Sequence, residues 1–250
     1  MMLEDRPFQT EKVGIVIPAF KEADNIGNLI QAIRKELPNA EIVVVDDSPD
    51  DATTLAVKEL NQPETSVVHR ATKGGRGSAV LDGLRILLDK GCTRLAEMDA
   101  DFSHPPSQLP LLVKEASDKG LDLLVASRYL PTSRIENWPL ARRAFSIASN
   151  HLARFLLKVP ISDYTNGYRV YSHPAGQAIV ASCGKRGTGF IALSEILVTL
   201  YYSGLKVGET PTIFTNRLRG ESSVNYHEIK NAFLGLWKIY FLKEELAAKR

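Results

Sequence analysis

Arg94-Leu95-Ala96-Glu97-Met98-Asp99-Ala100-Asp101-Phe102-Ser103-His104-Pro105-Pro106 runs from a short apolar segment into two aspartates one residue apart, and a proline pair then opens a new element. In an open α/β sheet, ligands gather beyond the carboxyl ends of the strands. Asp99 and Asp101 stand where such a strand would end. Residues i and i+2 of an extended chain point to the same side, so both carboxylates can face one ion. Hard oxygen ligands suit Mg²⁺ or Mn²⁺, and Mg²⁺ is usually held by one or two carboxylates plus substrate phosphates. The pattern points to a metal-bridged phosphate or diphosphate site. An isolated Asp-x-Asp pair is also what two solvated turn acids look like, so its surroundings decide.

Those surroundings alternate. Val13 to Pro18 is a β-branched run that predicts a buried strand. A helix follows, with Asp24 as its expected cap and Ile26, Leu29, Ile30, Ile33 and Leu37 on one face. Glu41 to Val45 predicts a second strand, ending in Asp46-Asp47-Ser48-Pro49-Asp50-Asp51. These acids exceed what helix capping needs, and a carboxylate at that edge can accept hydrogen bonds from a base or ribose. Thr65 to His69 predicts a third strand. Lys73-Gly74-Gly75-Arg76-Gly77-Ser78 then leads into a helix whose apolar face is Val80, Leu84, Leu87 and Leu88. Glycines before a helix N-terminus let backbone N–H groups approach a phosphate. The spacing is neither a Walker loop nor a dinucleotide fingerprint. The strand carrying the aspartates is fourth, a helix is expected over Ser107 to Lys119, and Leu121 to Ser127 is the fifth strand, ending at Arg128-Tyr129. This order argues for a mainly parallel sheet with helices on both faces.

The second half is less regular. Pro131 to Pro139 reads as an irregular loop and Leu140 to Leu157 as a helix mixing Arg142, Arg143 and Arg154 with apolar residues. Ser162 to Arg169 is turn-like and leads into a strand at Val170-Tyr171. Gly187 to Leu205 is the most apolar stretch, but a carboxylate at bilayer centre, here Glu195, costs about 2.5–3.5 kcal/mol, so a half-buried helix is expected rather than a span. Val207 to Thr215 predicts one more strand, followed by a basic loop. The last helix, about Tyr226 to Leu246, carries Ile229, Phe233, Leu236, Trp237, Tyr240 and Phe241 on a stripe expected to pack largely on the core.

At 250 residues the chain suffices for one large domain, and a net charge of +2 carries no nucleic-acid footprint. Cys92 and Cys183 do not make a disulfide framework, so a reducing compartment is expected. Met1 to Glu11 is polar and charged, unlike a signal-peptide core.

Seven motifs, in order, resemble the family 2 glycosyltransferases, and among them the dolichyl-phosphate mannosyltransferase-like group. They are Ile17 to Glu22, Val45 to Asp50, Gly75 to Ala79, Met98 to Pro105, Ser127 to Tyr129, Asp163 to Arg169 and Arg219 to Ser223. The likeness runs from about Val13 to about Val224. It implies a nucleotide-binding α/β fold of the GT-A type with one antiparallel strand. It divides a single domain over residues 1–250 into a nucleotide-binding half (about 12–130), an acceptor-binding half (about 131–225) and a C-terminal amphipathic helix (about 226–246). Pro18, Phe20, Glu22 and Asp46, with Asp47, would line the base and ribose site. Gly77, Ala100, Asn166 and Ser222 would also meet substrate. Asp99 and Asp101, assisted by Ser103, would hold Mg²⁺ or Mn²⁺ on the diphosphate. Arg128, Arg217 and Arg142 would meet phosphate groups. The family's DDGS-like turn reads Asp46-Asp47-Ser48-Pro49 here.

The implied reaction moves a hexose, with inversion, from a nucleotide diphosphate sugar to a polyprenyl phosphate. GDP-mannose is the expected donor and a UDP-sugar the alternative. The absence of a Ser-His-Asp or Cys-His pattern fits, because an ionised phosphate needs no strong general base. His104, beside Pro105, is expected to shape the loop. A cytoplasmic protein bound peripherally to a membrane surface through the Leu140–Leu157 helix and the final helix is expected, with room for a membrane-anchoring partner protein. Two rivals remain. A haloacid-dehalogenase-like phosphatase uses its first aspartate as nucleophile, but near the N-terminus. A non-catalytic nucleotide-sugar-binding protein would not need Asp99, Asp101, Arg128 and Arg217 intact.

Overall fold

In a computed structural model of the protein, the structure describes residues 11–70, 72–184, 191–216 and 226–248, with side chains in the last helix described from 235. Five of the first elements alternate as expected: β1 (Val13–Ala19), α1 (Ala23–Glu36), β2 (Glu41–Asp46), α2 (Ala52–Glu59) and β3 (Thr65–His69). Then come α3 (Arg76–Asp89), β4 (Arg94–Glu97), a 3-10 turn at Pro106–Gln108, α4 (Leu109–Asp118) and β5 (Leu123–Ser127). The second half supplies β6 (Arg134–Glu136), α5 (Leu140–Leu157), β7 (Arg169–Ser172), α6 (His173–Ser182), α7 (Ile191–Tyr202), β8 (Val207–Pro211), β9 (Ile213–Thr215) and α8 (Tyr226–Ala248).

Seven strands form one sheet in the order β3-β2-β1-β4-β7-β5-β8, in which only β7 runs antiparallel to its neighbours. Helices cover both faces. Ile15, Ile17, Ile42 and Val44 pack with α1 and α4, whereas Val16, Val43 and Val45 pack with α3 and the second-half helices. Burial on both faces explains why β1 and β2 read as unbroken apolar runs. This is the mainly parallel α/β architecture expected of the GT-A type. Its reversed strand has a consequence for the site. β1, β2, β4 and β5 present their carboxyl ends to one edge, and β7, paired Arg169 to Glu97, brings its beginning there. The 163–168 turn therefore arrives beside the Asp99 turn.

Several local expectations change. Glu22, not Asp24, precedes α1 as its cap residue, and Asp24 lies in the first turn. Val207 to Thr215 is two strands, because Thr212 leaves the main sheet and Ile213–Thr215 pairs in parallel with β6, inside the stretch expected to be irregular. Helix α6 lacked a strong amphipathic signal, although Ser172 caps it by accepting from the Ala175 N–H (3.2 Å). On the described part of α8 the buried apolar side chains are Ile239 and Leu242, while Trp237 and Phe241 are exposed. Ile229 and Phe233 lie outside the residues whose side chains are described. Cys92 and Cys183 are both buried and form no disulfide among the described residues. Among the described residues, no helix is long and apolar enough to cross a membrane.

Gly83 marks the tightest approach of α3 to the sheet. A Cβ there would lie 2.2 Å from Val16 Cγ2, on a buried β-branched side chain that cannot swing away. Overpacking of this kind costs about 1–3 kcal/mol. Gly83→Ala should lower the urea midpoint accordingly, and an unchanged midpoint would contradict this packing.

Candidate active site

The chain leaves β4 at Glu97 and turns sharply through Asp99, Ala100 and Asp101. Three hydrogen bonds shape the turn. The Asp99 N–H donates to His104 Nδ1 (3.1 Å) and the Ser103 N–H to Asp101 Oδ1 (3.1 Å). The Thr215 N–H of β9 donates to the Ser103 carbonyl (3.2 Å). Together they hold Phe102 at φ 60°, a left-handed conformation costing an L-residue roughly 1–2 kcal/mol. His104 is fully buried and stacks on Tyr168 with ring centroids 4.8 Å apart. Its Nε2 lies 2.9 Å from Asn166 Oδ1, and Asn166 Nδ2 donates to the Ala126 carbonyl. That network assigns the imidazole proton to Nε2 and leaves Nδ1 as acceptor. Burial holds the ring below its usual pKa. His104 is a neutral brace for the aspartate turn, in line with the expectation that it shapes the loop.

Arg76, the first residue of α3, reaches into the same turn. It donates from Nη1 to Glu97 Oε1 (2.5 Å) and from both Nε (3.0 Å) and Nη2 (2.7 Å) to Asp99 Oδ1. Glu97 also accepts from the Tyr171 hydroxyl (2.7 Å). Burial alone would raise the Asp99 carboxyl, but the charge and hydrogen bonds of Arg76 outweigh it and hold the carboxyl below its ordinary value. Asp99 is therefore ionised across the physiological range. Burial would lower the Arg76 guanidinium, and the two carboxylates outweigh it.

At the end of β2, Asp46 accepts from the Ser48 N–H (3.0 Å), the Ser48 hydroxyl (2.5 Å) and the Thr54 hydroxyl (2.8 Å). Both of its oxygens are engaged within the turn. No residue between Asp46 and Asp51 has a positive φ, so Ser48 and Pro49 form this turn without the glycine of the DDGS-like pattern. Asp47 takes Arg70 in a bidentate pair (2.5 and 2.6 Å) and accepts from the Gly75 N–H (2.9 Å). Gly75 has φ 81°, so this glycine is needed where the loop turns into α3. The expected phosphate cradle is thus tied to β2 by Asp47. Phe20 is exposed beneath the Lys73 ammonium, 3.7 Å from its ring centroid. A cleft lined by Lys21, Asp24, Asp50 and Thr53 opens beside it. Pro18 is half-buried at the end of β1, Glu22 accepts from Asn25 Nδ2 (2.8 Å), and Gly77 and Ala100 are buried.

Arg128, at the end of β5, is buried and forked onto Asp163 (Nε 2.7 Å, Nη2 2.8 Å), with a further bond to the Thr165 hydroxyl (2.8 Å). Trp138 and Phe214 flank its guanidinium, each ring 5.3 Å away, and Arg142 lies over the same indole at 4.4 Å. Arg142 also donates to Asn216 Oδ1 (3.3 Å). Asn166, expected to meet substrate, has both ends of its amide engaged with His104 and Ala126. Arg217 and Ser222 lie outside the described residues. Arg76, Glu97, Arg70 and Asp163 were not assigned roles from the sequence. Their signal was weak but present: Arg76 stood among glycines, and Asp163 opened a quoted motif.

Among the described residues, no three His, Cys, Asp or Glu side chains are grouped to hold a metal by themselves. Mg²⁺ needs no such cage when substrate phosphates complete its shell. Ser103 Oγ is buried and has no hydrogen-bond partner among the described residues. An orphaned hydroxyl on the same turn as the two aspartates fits an ion or its bound water. The donor set suits a hard divalent cation.

The model of the family described as "Glycosyl transferase family 2" matches residues 14–178. The chain belongs to glycosyltransferase family 2. It is 34% identical over 226 residues to the polyprenol monophosphomannose synthase of Mycolicibacterium smegmatis, covering 89% of this chain and 84% of that one. It is 32% identical to the undecaprenyl-phosphate mannosyltransferase of Micrococcus luteus (86% and 88% covered). To the dolichol-phosphate mannosyltransferase of Pyrococcus furiosus it is 34% identical, over 85% of this chain and 59% of that one. Glucosyl-3-phosphoglycerate synthase from Mycobacterium tuberculosis, crystallised with Mn²⁺, UDP and glucosyl-3-phosphoglycerate, has the same fold at a TM-score of 0.66 and 18% identity, covering 94% of this chain and 80% of that one. The protein is a glycosyltransferase of the GT-A type, which sets aside both the phosphatase and the non-catalytic readings.

The Arg128–Asp163 pair generates a test of this family 2 site. Removing one partner of a buried pair costs about 3–5 kcal/mol. Burial would raise the Asp163 carboxyl, and Arg128 overrides this to leave it lowered. The pair's stabilisation is therefore present above the unfolded carboxyl pKa of about 3.9 and lost as pH falls through the lower folded value. Asp163→Asn should be destabilised by that amount in urea at neutral pH, with the gap to wild type closing below about pH 4. A gap that stays constant with pH would contradict the pairing.

Proposed function

We propose that the protein transfers mannose, with inversion, from GDP-mannose to a polyprenyl phosphate. The observation that carries this is the convergence of the braced Asp99–Asp101 turn and the Arg128 and Arg142 guanidiniums at one sheet edge, in a chain similar to polyprenyl-phosphate mannosyltransferases over most of its length. Asp99 and Asp101, with Ser103, would hold Mg²⁺ or Mn²⁺. A divalent ion supplies Lewis-acid stabilisation of the charge that develops on a departing diphosphate. Arg128, fixed by Asp163 and lodged among aromatic rings, adds a permanent positive charge near Asp99 that needs no reorganisation. Arg142, stacked on Trp138, offers a second charge toward the acceptor half. Phe20, Pro18 and Glu22 line the open end of β1 where the base would lie.

The acceptor's terminal phosphate has a second pKa near about 6 and is largely ionised at neutral pH. Its oxygen attacks the anomeric carbon. A carbon–oxygen bond forms there as the bond to the diphosphate breaks, and the electron pair leaves with the nucleoside diphosphate. No proton has to be removed from the nucleophile, which accords with His104 being buried and braced. A UDP-sugar is the alternative donor.

Transfer to a lipid requires a membrane-facing surface, and α5 offers one. Leu140, Ala144, Ala148, His151 and Phe155 form an exposed stripe, with Leu140 82% and Phe155 76% exposed. Arg143, Arg154 and Lys158 are exposed alongside it. An apolar stripe bordered by cations suits a helix lying in the plane of an anionic interface. Trp237 and Phe241 on α8, which packs against α5, extend this character.

Two measurements test this reading. Incubation with GDP- and UDP-sugars, Mn²⁺ and a short polyprenyl phosphate, read by mass spectrometry, should give mannosyl-phosphoprenol from GDP-mannose, and Asp101→Ala should lose at least about a hundredfold in rate, the scale of an electrostatic stabiliser. Product only from UDP-sugars would replace the donor. On anionic liposomes the protein should float, and the Leu140→Ser/Phe155→Ser double variant should remain at the bottom while still glycosylating the short acceptor. Equal flotation of both proteins would remove α5 from the membrane.

A further inference from the structure

Arg76 is placed unlike the other basic residues of the site. Two of its donors converge on a single oxygen of Asp99, Oδ1, at 3.0 and 2.7 Å. The other oxygen, Oδ2, lies on the His104 side, 3.8 Å from Nε2. The third donor is anchored on Glu97, whose side chain is 0% exposed, whereas that of Asp99 is 26% exposed. Glu97 is thus the internal post, and Asp99 is the acid that opens to the site. The guanidinium reaches this position by crossing the backbone at Gly167, where a Cβ would lie 1.8 Å from Nη2. Any side chain at that position would push the guanidinium off its two carboxylates.

We infer that Arg76 is a positioning residue and a built-in cation: it confines Asp99 to a one-oxygen grip on the divalent ion and weakens metal binding until the donor diphosphate arrives. This rests on the proposed metal role of Asp99 and Asp101. Without Arg76, Glu97, Asp99 and Asp101 would present three negative charges to an ion; with it they present two. A fixed positive charge touching one ligand opposes a second cation by direct Coulomb repulsion. It also removes one of the two oxygens with which Asp99 could chelate. The diphosphate then becomes a necessary part of the ion's shell, so ion and donor bind together. When the donor is present, the same guanidinium stands beside the departing diphosphate and adds to its stabilisation.

The sign of the effect separates this role from a merely structural one. Loss of a structural residue would weaken metal binding, whereas loss of a competing cation strengthens it. Mn²⁺ alone, titrated into the protein without donor and followed by the electron paramagnetic resonance signal of free Mn²⁺, gives the readout. Arg76→Met should bind Mn²⁺ roughly tenfold more tightly than wild type, with slower transfer. Arg76→Met/Glu97→Gln removes the enclosed Glu97 charge together with its partner, keeps a partner for the Tyr171 hydroxyl and preserves the net charge of the site, so its tightening reports the freed Asp99 oxygen. Unchanged or weaker Mn²⁺ binding in the double variant overturns the inference. Asp101→Ala serves as the separate control: Mn²⁺ bound equally with and without Asp101 overturns the metal assignment itself, whereas binding that depends on Asp101 but is indifferent to Arg76 overturns only the role given to Arg76.

Discussion

A carboxylate taken wholly out of water needs partners within the protein, and Glu97, enclosed at the end of β4, has Arg76 and the Tyr171 hydroxyl. That one requirement ties together three elements distant in sequence. It draws the start of α3 to the end of β4. It fixes β7 alongside, because Tyr171 must point at the same carboxylate. It also places a guanidinium against Asp99, so the first acid of the aspartate pair is held and charged before any ligand arrives. The turn that follows rests on this anchor. Phe102 can adopt its left-handed conformation because His104, Asp101 and β9 satisfy the surrounding backbone.

The reversed strand β7 matters for the same reason. Parallel strands deliver their carboxyl ends to the ligand edge, and an antiparallel strand delivers its beginning. Asp163, Asn166 and Gly167 reach the site through that reversal. Asp163 then fixes Arg128, Asn166 fixes the His104 tautomer, and Gly167 leaves room for Arg76. None of the three needs to touch substrate to matter, since each sets the position of a side chain at or beside the aspartate turn. Charged groups aligned in advance stabilise a transition state without reorganisation, which is where most of their effect lies.

The backbone elements were legible in the sequence because the buried strands are short apolar runs and the helices keep an apolar period. Val13–Ala19, Glu41–Asp46 and Thr65–His69 are short β-branched runs between turn residues, and α5 has the bounds Leu140–Leu157 that its pattern predicts. The break at Thr212 was not legible, because a strand that changes sheets keeps its alternation. Asp99 and Asp101 stood out because acids directly after a buried strand are conspicuous. Their supports did not, because pairs such as Arg76 with Glu97, Arg128 with Asp163 and Asp47 with Arg70 join residues with no common period. Asp46 and Asn166 are polar residues in a functional neighbourhood, yet burial requires their own hydrogen bonds to be met within the protein, and both are engaged there.

The central proposal is that the braced aspartate turn holds a divalent ion, which would neutralise the charge on a departing diphosphate. Crystals grown with GDP and Mn²⁺ and measured at the manganese absorption edge address this directly. The account predicts an anomalous peak beside Asp99 and Asp101 at the diphosphate, with Arg76 still paired to Asp99 Oδ1. A peak elsewhere on the sheet edge, or nucleotide bound with Asp99 and Asp101 turned away from it, would contradict it.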